Sequence, residues 1–250
     1  MYYLSVLSIF KNETMNLKNW IEHYLWQGVE HFYLIDNAST DNPLSILQEY
    51  IEKGIVTYFY LPEKYKQVEH YRYVFDKENL KQKTKWLAVC DLDEFFFGVD
   101  HKLTTKIRSL DFDFDYILCN WKMFGSDGLI EHPNDIRTSI THCATNLWSE
   151  TKYIFKPLII KDSSSIWIHW LINIPYVNNS RIRKANQLIR LNHYPIQSLE
   201  FFKKVKMTRG AADSENSENI RDMNYFNKYD YHDINDETLK NIILNPPKKY

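Results

Sequence analysis

KWLAVCDLDEFFF, residues 85–97, places three carboxylates, Asp91, Asp93 and Glu94, between an apolar run and three aromatics. Trp86 to Cys90 reads as a buried strand, so the acids stand at its carboxyl end. A D-x-D triplet is weak evidence by itself. With 17 Asp in 250 residues, composition predicts roughly one such triplet by chance. There are in fact two others, Asp111/Asp113 and Asp113/Asp115, but both precede the strand-like DYILCNW and so lie at an amino end. In open parallel sheets ligands bind outside the carboxyl ends of the strands, which singles out Asp91 and Asp93.

The flanks supply the rest of that sheet. YLSVLSIF and HFYLID read as buried strands, and IVTYFY reads as a third. Between the first two, Leu17, Trp20, Ile21, Tyr24 and Leu25 follow the spacing of one helix face, and Gly28 suits its end. Asn42-Pro43 fits the start of a second helix, with Leu44, Leu47 and Ile51 as its stripe and Gly54 after it. A third helix is expected over 67–82, packed through Val68, Tyr71 and Phe75. Strands alternating with helices predict a mostly parallel sheet covered on both faces over about residues 1–100. Beyond that the order changes. The sequence predicts a short helix near 102–110, strand-like pieces in YIFKPLII and SIWIHW, and a helix over LEFFKKVKMTRG. No repeat or linker is evident, so residues 1–250 are expected to form a single α/β domain with an irregular second half.

Composition narrows the function. The formal net charge of −1 gives no reason to expect nucleic-acid binding. Three cysteines without a CxxC argue against a disulfide framework and for a reducing compartment. The opening MYYLSVLSIFKNE lacks a basic leader, and no stretch is long enough to cross a bilayer. The expectation is a cytoplasmic protein, with membrane association only peripheral, at the inner face. No P-loop, G-x-G-x-x-G, G-x-S-x-G or H-E-x-x-H is present, which leaves kinase, dinucleotide and hydrolase schemes without support.

Asn12-Glu13 follow the first strand and Asp36 the second, so four acidic positions from three strands, Asp91 and Asp93 among them, converge on one rim. Packed carboxylates repel, and burying them unpaired is costly. A divalent cation relieves both problems. Magnesium or manganese often completes its shell with substrate phosphates. Solvated acids at strand ends, or a helix cap at Asp91, are the plainer alternative.

Four stretches, SIFKNETMNLKNWIEHYLWQGVEHFYLIDNASTDN, WLAVCDLDEFFF, NWKMFGSDG and LNHYPIQSLEFFKKVKMTRG, together resemble glycosyltransferases of the GT-A fold. The resemblance is to the bacterial group similar to family 2 and to the family-92 enzymes. It implies a GT-A-like, mostly parallel sheet flanked by helices. About 1–100 would bind a nucleotide-sugar, a UDP-sugar first among them, and about 101–250 would shape the site for a glycan or glycolipid acceptor. It implies metal-dependent sugar transfer with inversion, as in polysaccharide biosynthesis. On that resemblance Glu13 and Asp36 hold the donor's base and ribose, Asp91 and Asp93 form the D-x-D pair, Glu94 is the acid after it, and His193 completes the metal shell with Asp91 and Asp93; Asn12, beside Glu13 on the rim, is a further donor-binding candidate.

Further candidates are read from the residues themselves. Gln67, at the start of the third helix, is a donor contact. Lys204 and Arg209 are candidates to neutralise the leaving diphosphate, with Lys203 on a solvated face and Lys206 in the same basic run. Asp127, in the turn FGSDG, is a candidate base, although Ser, Asp and Gly are ordinary turn residues. His169 in IWIHW is the second catalytic candidate; packing is the commoner fate of such a histidine. Trp121, Trp148, Trp167 and Trp170 suit sugar rings. The polar stretch 209–222 is a candidate lid. Two other functions fit part of this pattern: a non-catalytic nucleotide- or sugar-binding protein on the same fold, and a sugar nucleotidyltransferase. The second wants a Gly-rich loop after the first strand, and FKNETMN has none.

Overall fold

A computed structural model describes residues 1–174, 179–209 and 221–246. The first half alternates as its apolar spacing predicts. It runs β1 (Tyr2–Phe10), α1 (Thr14–Trp26), β2 (His31–Asp36), α2 (Leu44–Glu52), β3 (Val56–Tyr60), α3 (Gln67–Lys77), α4 (Leu80–Lys83) and β4 (Thr84–Val89). The chain then forms β5 (Glu94–Gly98), α5 (Leu103–Leu110), β6 (Tyr116–Met123), α6 (Ile136–Ser139), β7 (His142–Cys143) and β8 (Thr151–Phe155). It ends with β9 (Ile182–Lys184), β10 (Ile189–His193), α7 (Leu199–Lys204), α8 (Met223–Tyr229), β11 (Ile234–Asn235) and α9 (Thr238–Leu244).

One sheet, in the order β3-β2-β1-β4-β8-β6-β10-β5 with β9 beside β6, joins both halves. β1, β2, β3 and β4 are parallel. β8 enters antiparallel between β4 and β6, and β5 closes the far edge antiparallel to β10. The α/β class and the mostly parallel sheet flanked by helices are those expected of a GT-A-like fold.

Strand residues alternate between two apolar layers, because successive side chains leave opposite faces. Leu4, Val6, Leu34 and Ala88 pack with Leu17, Trp20 and Tyr24 of α1 and Ile107 of α5. Leu7, Ile35, Leu87 and Val89 pack with Tyr71, Val74 and Phe75 of α3. A strand buried on both sides needs no polar positions, which is why WLAVC reads as a continuous apolar run. α1 ends at Gly28, whose φ of 92° favours glycine. A Cβ there would also run into the Thr104 side chain.

Several expected boundaries move. The single helix over 67–82 is two, broken where Asn79 takes a left-handed φ of 50°. Asn42 provides no side-chain cap for α2, which begins at Leu44. YIFKPLII is a strand only as far as Phe155, because Pro157 turns the chain into a 3-10 turn. SIWIHW is not a strand; it forms a narrow turn closed by the Ile166–Leu171 bridge. The helix expected over 199–210 stops at Lys204, followed by a tighter turn at Lys206–Thr208. Five strands were not anticipated as such: the aromatic run EFFFG, which is β5, the short β7, β9 and β11, and β10, which carries His193. Cys90, Cys119 and Cys143 are buried free thiols. Among the described residues no helix is long and apolar enough to cross a membrane.

Candidate active site

A cleft of about 230 Å³ opens at the carboxyl ends of β1 and β4. Its floor is the turn between β4 and β5, and α1 holds that turn in place. Trp20 Nε1 donates to the carbonyls of Asp91 and Glu94, both at 3.1 Å. Tyr24 donates its hydroxyl to the Glu94 carbonyl at 3.0 Å and accepts from the Phe96 N–H. Glu94 bends back to accept the Asp91 backbone N–H through Oε2 at 2.9 Å. The apolar stripe of α1 therefore does more than pack, since two of its aromatic members carry the polar tips that anchor the acidic turn.

Within that turn the two aspartates face different partners. Asp91 Oδ2 pairs with Lys152 Nζ at 2.8 Å, and its Oδ1 lies 3.4 Å from both Gln67 Nε2 and the Tyr71 hydroxyl. Lys152 is fully buried on β8 and also approaches Glu94 Oε2 at 3.8 Å. Burial would lower the Lys152 pKa, but the carboxylates of Asp91 and Glu94 raise it overall. Burial holds the Glu94 carboxyl well above the usual carboxylate range despite that ammonium.

Asp93 turns to the other side. Its Oδ2 accepts from Lys206 Nζ at 2.7 Å, and its Oδ1 lies 3.6 Å from His193 Nε2. Burial alone would push the Asp93 carboxyl up; Lys206 and His193 hold it well below its ordinary value. His193 arrives by strand register, paired with Glu94 of β5 on one side and Met123 of β6 on the other. Lys206 also reaches Glu13 Oε1 at 3.2 Å, and Arg209 pairs with that same oxygen.

Asp93, Glu94 and His193 each bring one ligand atom within 4.8 Å of the others. Glu94 Oε1, Glu13 Oε2 and His193 Nδ1 are buried with no hydrogen-bond partner among the described residues. Buried polar atoms are seldom left so. Oxygen donors with one imidazole suit manganese or magnesium, so the residues fit a divalent cation. The cluster differs from the expected set in one member: it includes Glu94 and not Asp91, which pairs with Lys152.

The remaining expected residues divide by position. Glu13, Gln67, Asp91, His169, His193 and Arg209 line the cleft. Asn12 and Asp36 do not; they build the rim beside it. Asn12 Oδ1 accepts the Thr40 N–H at 2.7 Å. Asp36 accepts the Ser39 N–H and the Tyr58 hydroxyl, each at 2.7 Å. Asp127 also lies outside the lining. Its carboxylate takes the N–H groups of Thr141 and His142, both at 2.9 Å, and those bonds hold its pKa below the ordinary value against the effect of burial. At φ 51° it sits in the turn, with its carboxylate bonded to that backbone. Lys204 points away and pairs with Glu200 on the surface. The lysine that enters the site from this segment, beside Arg209, is Lys206, only 2% exposed. The basic run signalled the segment; which lysine turns inward depends on where α7 ends. Lys152 gave no motif signal. The proposed lid over 209–222 lies mostly outside the described residues, with Arg209, Arg221 and Asp222 within them.

On the far wall stand Trp121, Trp148, Ile168, Tyr225 and Tyr229. The Trp121 ring lies 4.3 Å from that of His193 and 5.3 Å from that of His169. Trp167 and Trp170 are instead half-exposed and outside the lining.

Comparison with known proteins gives curated relatives of one kind. A family 92 glycosyltransferase protein of Ricinus communis is 22% identical over 225 residues, covering 81% of this chain and 36% of its own length. A family 92 protein of Arabidopsis thaliana is 24% identical, covering 80% of this chain and 36% of its own length. The chain thus spans a little over a third of these curated relatives. Among solved structures, S. aureus TarS residues 1–349 superposes with a TM-score of 0.48 at 16% identity, covering 82% of this chain and 63% of that one. Its complex with UDP gives 0.43 at 17% identity, covering 65% and 49%. The model of glycosyltransferase family 92 matches residues 2–242, so the chain belongs to glycosyltransferase family 92.

Proposed function

We propose that this chain transfers a sugar from a nucleotide-sugar donor, a UDP-sugar first among the candidates, to a hydroxyl of a glycan or glycolipid acceptor. One observation carries the reading beyond family membership: Asp93 and His193 of the buried Asp93–Glu94–His193 cluster line a cleft that also holds cations and aromatic faces. The cations suit a diphosphate and the aromatics suit sugar rings. A manganese or magnesium ion held by Asp93, His193 and Glu94 would supply Lewis-acid charge to the leaving diphosphate.

The chain's own groups divide the remaining work. Arg209 and Arg221 face the place where negative charge develops, and Gln67 is available to the donor on the α3 side. Asp36 and Asn12 fix the neighbouring rim for the base and ribose. Of the two expected bases, His169 lines the cleft. Its Nδ1 lies 3.3 Å from the Thr151 carbonyl. A carbonyl accepts only, so the neutral ring carries its proton on Nδ1 and its lone pair on Nε2. His169 is the candidate to take the acceptor's hydroxyl proton during an inverting attack on the anomeric carbon. A cytoplasmic site of action, peripheral to a membrane where the acceptor is a glycolipid, belongs to the same proposal.

The test is a panel of nucleotide-sugars offered to the purified protein with and without manganese. Hydrolysis or transfer of one donor, lost in chelator, supports the proposal. No donor bound or turned over under either condition would leave a non-catalytic protein on this fold.

A further inference from the structure

Lys206 occupies a position that a bound divalent ion would contest. Its ammonium lies 2.7 Å from Asp93 Oδ2 and 3.2 Å from Glu13 Oε1. Manganese or magnesium binds carboxylate oxygen at about 2.1 Å, inside the space the ammonium fills. Two cations on one oxygen also repel strongly at this depth, where water screens little. An ion taking Asp93 Oδ2 would therefore be opposed by the ammonium already on it.

Local charge points the same way. Asp91 is matched by Lys152, while Glu13 and Asp93 are matched by Lys206 and Arg209. At Glu13 and Asp93 two carboxylates already face two cations without a metal. A divalent ion adds positive charge that must be offset, and a diphosphate supplies the offset. Lys206 can follow it. The residue sits in a short 3-10 turn after α7, on an unbranched four-carbon stem, in the same cleft as Arg209 and Arg221.

The geometry points to Lys206 as an exchangeable counter-cation. It holds Asp93 in the donor-free protein, yields it when metal and diphosphate arrive together, and moves to the diphosphate. This inference rests on the donor and metal reading above. It makes metal binding weak alone and strong with nucleotide, which ties metal capture to donor capture.

The experiment measures manganese affinity by titration calorimetry and electron paramagnetic resonance, without and with UDP. It uses the wild type, Lys206→Met, Lys206→Gln and Lys206→Arg, with Asp93→Asn as control. The neutral variants should bind manganese alone at least tenfold more tightly than the wild type. The gain in manganese affinity on adding UDP should shrink in them. Lys206→Arg should stay close to the wild type. If Lys206→Met is poorly folded, the manganese-induced rise in melting temperature of Lys206→Gln gives the same reading, since a ligand stabilises according to its affinity. Equal manganese affinity in wild type and neutral variants, lost in Asp93→Asn, would overturn the exchange and leave the metal site standing. No manganese binding to any variant, with or without UDP, would overturn the metal reading and the exchange together.

Discussion

The segment from β1 to β4 brings its cleft residues on the ends of regular parallel strands, whereas the segment from β8 onward brings them on short or irregular pieces. Glu13 and Asp91 follow β1 and β4 directly, and Asp93 stands in the turn after β4. Their opposing cations come from the antiparallel strand β8, which carries Lys152, and from the turn after α7, which carries Lys206. The difference separates two carboxylates that the D-x-D spacing makes look alike. Asp91 is tied to a lysine inside the sheet, and Asp93 to a lysine on a loop. The first pair is built to stay, the second to part.

That contrast is broken most directly at Asp93. Asp93→Ala removes the oxygen shared by Lys206 and the proposed ion. A metal contributes several kcal/mol to a developing anionic leaving group, so turnover with manganese should fall by on the order of 10³-fold. The fold should survive, because Arg209 still pairs with Glu13. Steady-state kinetics and circular dichroism measure the two halves of this statement. Undiminished turnover of the variant in chelator would remove Asp93 from the chemistry.

Lys152→Met tests the other pair, through stability rather than chemistry. It strands Asp91 beside a buried Glu94, and breaking a buried pair from one side typically costs about 3–5 kcal/mol. Glu94→Gln added to it should restore part of the loss, since it removes the second carboxyl that Lys152 had faced. Urea unfolding reads both effects. A Lys152→Met protein as stable as the wild type would show that Asp91 and Lys152 are no more fixed a pair than Asp93 and Lys206.

The regular side was also the legible side. Leu17, Trp20, Ile21 and Tyr24 announced α1, and WLAVC announced a strand buried on both faces, because period and burial are written into apolar spacing. The carboxyl-end position of Asp91 and Asp93 followed from that alone. The partition between them did not follow, since it depends on β8 entering antiparallel and delivering Lys152 from 61 residues away. β10 was hidden for a related reason: LIRLNHY has no clean alternation, and its strand identity comes from pairing with β5 and β6. Lys206 was displaced by Lys204 in the reading because a continued helix would have presented a different face of the basic run. Asp127 looked catalytic for its chemistry, and only contacts with Thr141 and His142 show its carboxylate spent on a turn. Membership in the family rests on matched residues across the chain, whereas the division of labour rests on tertiary pairing.

A smaller effect tests the regular side by pH. His23 of α1 is fully buried, with Nε2 2.8 Å from the Phe96 carbonyl, and burial lowers its pKa to about 3. Unfolded, it titrates near ~6.5. The unfolded chain therefore takes up the proton first as pH falls. The stability this group contributes is present above pH ~6.5 and is lost as pH drops toward 3, at up to about 1.4 kcal/mol per pH unit. Urea unfolding of wild type and His23→Gln across that window should differ by one proton in slope. Equal slopes would mean that the α1–β5 packing opens to water before the fold does.

Lys204→Ala should do least, and it decides which lysine of the basic run faces the chemistry. Lys204 pairs with Glu200 one helical turn away, on a surface where its side chain is 65% exposed. Exposed pairs of this kind contribute about 0.3–0.5 kcal/mol at most. Lys204 is not in the cleft lining, so its charge meets the site only across solvent and is screened at physiological salt. Stability should change by less than about 0.5 kcal/mol, and donor KM by less than about twofold, the factor such an energy corresponds to. A raised donor KM that grows further at low salt would show that Lys204 reaches the diphosphate when the donor binds. In that case the two lysines share the task assigned to Lys206, and the loop side of the cleft rearranges more than a single side-chain exchange requires.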